Sequence, residues 1–144
     1  MMTREERSAA IVRFHKNGAN CAQAMLAAFC DKLGMSEEQA LGVGACLGGG
    51  ARCGSLCGAV NAALMVLGCA DPKAAGDKPY STQLAHEYHR RFQEWYHHLN
   101  CRELLADDDP HPSETALALA GDSRCGALIV TAAELLCDML EEQN

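Results

Sequence analysis

The stretch Leu56-Cys57-Gly58-Ala59-Val60-Asn61-Ala62-Ala63-Leu64-Met65-Val66-Leu67 carries one strongly polar side chain, Asn61, and no proline. A helix over this stretch has no polar face, so other elements must cover it on every side. The residues before it, Gly48-Gly49-Gly50-Ala51-Arg52-Cys53-Gly54, are dense in glycine. They form a tight connection in which backbone can approach a bound centre closely. A phosphate-loop reading is weak, because no strand precedes the glycines and no Gly-Lys-Ser/Thr follows them.

Working outward, helix signals dominate and period-two alternation is absent. Thr3 with Glu6, Asn20 with Gln23 and Ser36 with Gln39 have capping-box spacing. They predict helices running to Asn17-Gly18, to about Gly34 and to about Cys46. Asp71 to Pro79 reads as a loop. A long helix follows from Tyr80 to Leu99, with Leu84, Tyr88, Phe92, Trp95 and Leu99 as its apolar stripe. Asn100 with Glu103 predicts a short helix that ends at Asp107-Asp108-Asp109-Pro110. Asp122 opens a last helix, whose Cys125, Leu128, Ile129, Ala132, Leu136 and Met139 share one side. The expected fold is all-α, a single-domain bundle of six to seven helices over residues 1–144.

Composition agrees. The chain has 144 residues, 49% hydrophobic and 22% charged, which is enough for one real core. Aromatic residues make up only 5% while alanine numbers 24, which favours close helix-on-helix packing. A net charge of −7 with 12 scattered Lys and Arg excludes a nucleic-acid partner. The start, Met1 to Arg7, lacks the apolar run of a secretory signal. The longest apolar run, Ala62 to Cys69, is far short of the ~20 residues that cross a bilayer. The expectation is a cytoplasmic protein with no membrane contact and reduced thiols, and a homodimer is compatible with so small a bundle. In that setting nine cysteines point to metal or redox chemistry rather than to disulfide staples.

Position along the helices sorts these cysteines. Cys21, Cys57, Cys101 and Cys125 each fall at or near the first turn of an expected helix. Unpaired amides and the peptide dipoles there favour negative charge. Each of the four thiols is therefore expected to be shifted towards thiolate, the form that binds metals and attacks disulfides. Cys30, Cys46, Cys69 and Cys137 read as small buried hydrophobes. Cys53, in the glycine loop beside Arg52, is placed to be a fifth member of the site or a resolving thiol for Cys57. Of the histidines, His86, His89 and His97 read as a solvated face, and His15 and His111 as surface residues. His98, three residues before Cys101, reads as a core histidine or a donor to a thiolate.

Asn20-Cys21-Ala22-Gln23-Ala24, Gly48-Gly49-Gly50, Cys57-Gly58-Ala59-Val60-Asn61-Ala62, Cys101-Arg102-Glu103-Leu104-Leu105 and Cys125 together resemble one family. It is the family of redox-active proteins labelled C_GCAxxG_C_C, and the likeness runs from about Phe14 to Leu136. The cysteines that define it fall on Cys21, Cys57, Cys101 and Cys125, and Gly58 belongs to its central motif. Ala62 stands where the family has a closing glycine. The resemblance implies a redox role and, from relatives that look like multihaem cytochromes, electron transfer with a partner protein.

Three chemistries meet these expectations. Four thiolates can ligate a [2Fe–2S] or [4Fe–4S] iron–sulfur cluster, with Cys53 and Gly58 beside it. Pairs of the same cysteines can cycle between dithiol and disulfide without metal. The four can also hold a structural zinc. Covalent haem is excluded by the absence of Cys-x-x-Cys-His.

Overall fold

The computed structural model describes residues 2–143. Among them there is no strand, and seven helices reach seven residues or more, so the fold is all-α as expected. All three capping boxes form: Thr3 opens α1 (Arg4–Lys16), Asn20 opens α2 (Cys21–Ala28) and Ser36 opens α4 (Glu37–Gly44). The second predicted helix is broken at Phe29 into α2 and a single turn, α3 (Cys30–Leu33), which Gly34 ends in the left-handed conformation.

The apolar stretch forms α5 (Gly58–Ala70), with Ala59, Val60, Ala62, Ala63 and Val66 fully buried. α6 (Lys78–Tyr96) is amphipathic, but its stripe runs Tyr88, Phe92, Tyr96. Strict four-residue spacing carries the buried line onto Tyr96 and leaves Trp95 exposed. α7 (Cys101–Ala106) is short, and the expected cap from Asn100 is absent. The backbone of Asn100 instead pairs with Leu56 in an isolated antiparallel bridge. A helix not foreseen in the sequence, α8 (Glu114–Ala120), is capped by Ser113. Ser123 rather than Asp122 caps α9 (Arg124–Glu142).

One core joins these elements. α2 and α5 lie at its centre, flanked by α1, α4, α6 and α9. The Tyr88 hydroxyl donates to the Ala132 carbonyl of α9 at 2.7 Å, and the rings of Tyr88, Phe92 and Tyr96 stack in sequence along α6. Arg7 is buried and grips the α2–α3 junction. Its guanidinium donates to both oxygens of Asp31 at 2.7 and 2.8 Å and to the Ala28 carbonyl at 2.8 Å. No described helix is long and apolar enough to cross a membrane.

Candidate functional site

The amino-terminal ends of α2, α5, α7 and α9 converge at one end of the molecule, and each carries a cysteine. Cys21 and Cys101 are the first residues of α2 and α7, Cys125 is the second of α9, and Cys57 is the cap residue of α5.

Two local features make the approach possible. A Cβ on Gly58 would lie 3.0 Å from the Ala22 amide nitrogen and 3.1 Å from the Ala22 methyl, so glycine lets the start of α5 pack against the start of α2 without crowding. Cys57 and Cys21 are the preceding neighbours of these two residues. The bridge between Leu56 and Asn100 sets the second pair. The Cys57 amide donates to the Leu99 carbonyl at 2.9 Å and the Cys101 amide to Ser55 at 2.8 Å. Cys57 and Cys101 are therefore diagonal neighbours on one face of the bridge.

All nine cysteines are free thiols. The Cys21 thiol hydrogen-bonds with those of both Cys125 and Cys57 and is pushed far above the usual range, with burial adding to the effect. Its single S–H proton is shared between the two, and whichever sulfur accepts it is favoured as thiolate. Cys57 is lowered by this contact, against its burial, and the amides of Val60 and Ala59 at the open end of α5 add to the lowering. Cys125 is lowered to about 6, first by Cys21 and then by His15 and Arg124, with burial opposing. Cys101 is raised by burial and by the charges of Cys57 and Cys125. The expectation of four thiols all shifted towards thiolate therefore holds for Cys57 and Cys125 only. Lateral contact between sulfurs outweighs the helix ends, because a shared proton acts at contact distance and the dipole effect is worth only ~0.3–1 kcal/mol per exposed site. Among the described residues, no three His, Cys, Asp or Glu side chains close on a single metal ion.

The glycine loop lies against this group. Gly49, Gly50, Ala51 and Arg52 have φ of 61°, 61°, 58° and 63°, a left-handed turn that includes two residues with a Cβ. Non-glycine residues pay of order 1–3 kcal/mol there, strain that is found mostly at functional sites. Cys53 follows the turn, exposed, its thiol donating to the Gly50 carbonyl at 3.4 Å. Arg102 of α7 donates to the Cys53 carbonyl at 3.1 Å and so ties the loop to the helix that begins at Cys101.

Other expectations are corrected. Cys46 and Cys69 are exposed rather than buried, because α4 stops at Gly44 and α5 has left the core by Gly68. His98 is exposed, since His97 ends α6 with a φ of 67° and turns the chain to solvent. His15 is the residue that sequence reasoning missed: it is half-buried, its Nδ1 is buried without a partner, and it acts on Cys125. The available signal was its four-residue spacing from Ile11, which is fully buried.

The family model described as "Putative redox-active protein (C_GCAxxG_C_C)" matches residues 19–139, a span that contains all four cysteines. The chain belongs to this family. Comparison with curated proteins and with solved structures returns no match. Membership of C_GCAxxG_C_C supports a redox role.

Proposed function

We propose that Cys21, Cys57, Cys101 and Cys125 ligate an iron–sulfur cluster and that the domain passes single electrons through it. The observation that carries this reading is the gathering of thiols from four separate helix starts, with Cys21 against both Cys57 and Cys125, within a family described as redox-active. The donor set fits the group in number and kind, since such clusters are held by four cysteine sulfurs. When bound, the cluster supplies a reversible one-electron couple.

The chain's own residues do the rest. Cys57 and Cys125, already biased towards thiolate, need the least proton loss on ligation, and the protons of Cys21 and Cys101 are the ones that must leave. The amides of Val60 and Ala59 face the negative charge at Cys57 and favour it. Tyr96 and Tyr88, both buried, keep water from the inner side of the site. Arg124 and His15 offset its charge at Cys125. A compartment that keeps nine thiols reduced, such as the cytoplasm, suits this role.

A second reading rests on the same contact. A Cys125 thiolate beside a protonated Cys21 is a pair that can form a disulfide, passing two electrons to an oxidant and releasing the one proton held by Cys21.

Anaerobic purification followed by iron, sulfide and zinc analysis, with absorption and low-temperature EPR spectra, separates the readings. Matching iron and sulfide with a reducible chromophore, lost in Cys57→Ser but kept in Cys30→Ser and Cys137→Ser, is the expected result. Zinc without sulfide, or no metal with a titratable disulfide, overturns the cluster.

A further inference from the structure

Beside the thiol group lies a cleft of about 250 Å³ between α6, α8 and the start of α9. Tyr96, Pro110, Leu117, Asp122 and Arg124 are among its walls. Tyr96 lies within reach of the charges on Cys57 and Cys125, and Arg124 directly precedes Cys125, so two of the cleft's wall residues adjoin the site. The Arg124 guanidinium donates to the Leu105 carbonyl at 2.9 Å, which brings the end of α7 to the same face. Leu105 and Leu117 are the most exposed large apolar side chains among the described residues, at 55% and 53%.

Acidic residues flank this apolar surface. Asp107, Asp108 and Asp109 run directly into Pro110, Asp122 is on the wall, and Glu114 opens the helix that presents Leu117. Against these five carboxylates stand two basic side chains, Arg124, which donates to the Leu105 carbonyl, and His111, 3.3 Å from Asp109, so the border is acidic on balance. An apolar centre with an acidic border, one residue from a redox cysteine, is complementary to a surface of the opposite charge pattern.

We propose that this face docks a redox partner protein that presents an apolar patch bordered by lysine and arginine. The inference rests on the redox reading above. On docking, the partner's oxidised cofactor gains one electron as the centre loses one, with no bond made or broken. The acidic border steers the encounter, and the exposed leucines fix the docked pose.

Two small inorganic complexes stand in for the partner. Tris(phenanthroline)chromium(III) is cationic, apolar, paramagnetic and substitution-inert, so it reports binding without any redox step. It should broaden the amide resonances of residues 105–124 selectively. In the exposed-charge variant Asp108→Asn/Asp109→Asn/Asp122→Asn that broadening should fall about 5-fold, and in Glu37→Gln/Glu38→Gln it should not change. Broadening spread evenly over the molecule, or unaltered in the triple variant, overturns the docking face whether or not the protein holds a cluster.

The second arm is reduction of tris(phenanthroline)cobalt(III) by the reduced holoprotein. Its rate should fall about 10-fold in the triple variant, while the rate with anionic ferricyanide should not fall. Selective broadening without electron transfer to the cobalt complex removes the redox partner from the proposal. Electron transfer with no selective broadening leaves the redox reading standing and removes the docking face.

Discussion

Replacing Gly58 with alanine adds one methyl group where the starts of α2 and α5 meet, and the neighbours would have to give by a few tenths of an ångström to admit it. It would lie 3.0 Å from the Ala22 nitrogen, 3.1 Å from the Ala22 methyl and 3.3 Å from the Leu47 carbonyl oxygen. None of these is the free end of a flexible side chain, so helix starts must move apart. Overpacking of this kind costs about 1–3 kcal/mol. Alanine returns up to about 1 kcal/mol of helix propensity, less at a first helical position. The net loss should be about 1–2 kcal/mol, a fall in Tm of about 3–6 °C for a chain of this size. Gly68 provides the internal control, because it is in the same helix with nothing within 4 Å of its Cβ position. Gly68→Ala should raise Tm by about 3 °C. Thermal melts followed by circular dichroism read both changes, and alkylation rates of Cys21 and Cys57 report whether the sulfurs separate in Gly58→Ala. A Gly58→Ala protein that melts with or above the wild type, or a Gly68→Ala protein that falls as far, would refute the close approach.

Other outcomes are expected. In the metal-free protein, alkylation of Cys125 should rise with pH about a midpoint near 6, as its thiolate forms, whereas Cys30 and Cys137, raised by burial, should react only at higher pH. Mass-mapped iodoacetamide labelling reads this, and a Cys125 midpoint near 9 contradicts it. Asp31→Asn removes the partner of buried Arg7 and should cost about 2 kcal/mol at neutral pH, below the value for a fully buried pair because Asp31 is partly exposed. The Asp31 carboxyl is held below its usual 3.8 by Arg7, so its contribution is present above that pH and is lost as pH falls below it. Denaturation of wild type and variant should converge in acid, and a constant difference would exclude the linkage. Tyr88→Phe should cost about 1 kcal/mol in chemical denaturation by losing the bond to Ala132, without altering the thiols.

The parts of this fold that local chemistry specifies were legible in the sequence. Thr3, Asn20 and Ser36 each have their partner three residues on, and each forms its box. The apolar run of α5 has no alternative to burial, and the cysteine set follows from the helix starts. What was not legible depends on neighbours distant in sequence. The break at Phe29 interrupts an apolar pattern that continues unchanged through it. The short α8 lies among prolines and acidic residues, and Asn100 exchanges a cap for a bridge to Leu56. The split of the four thiols into two lowered and two raised depends on which sulfurs touch, and so does the role of His15. No spacing rule contains that information.

Sulfurs from separate helices meet at one end of the molecule, and mild oxidation of the metal-free protein tests this most directly. With a limiting thiol oxidant and peptide mapping of the products, the first disulfide formed should join Cys21 to Cys57 or to Cys125, leaving Cys30, Cys69 and Cys137 free. First disulfides among the remaining cysteines, with Cys21, Cys57 and Cys125 all still reduced, would contradict the shared centre.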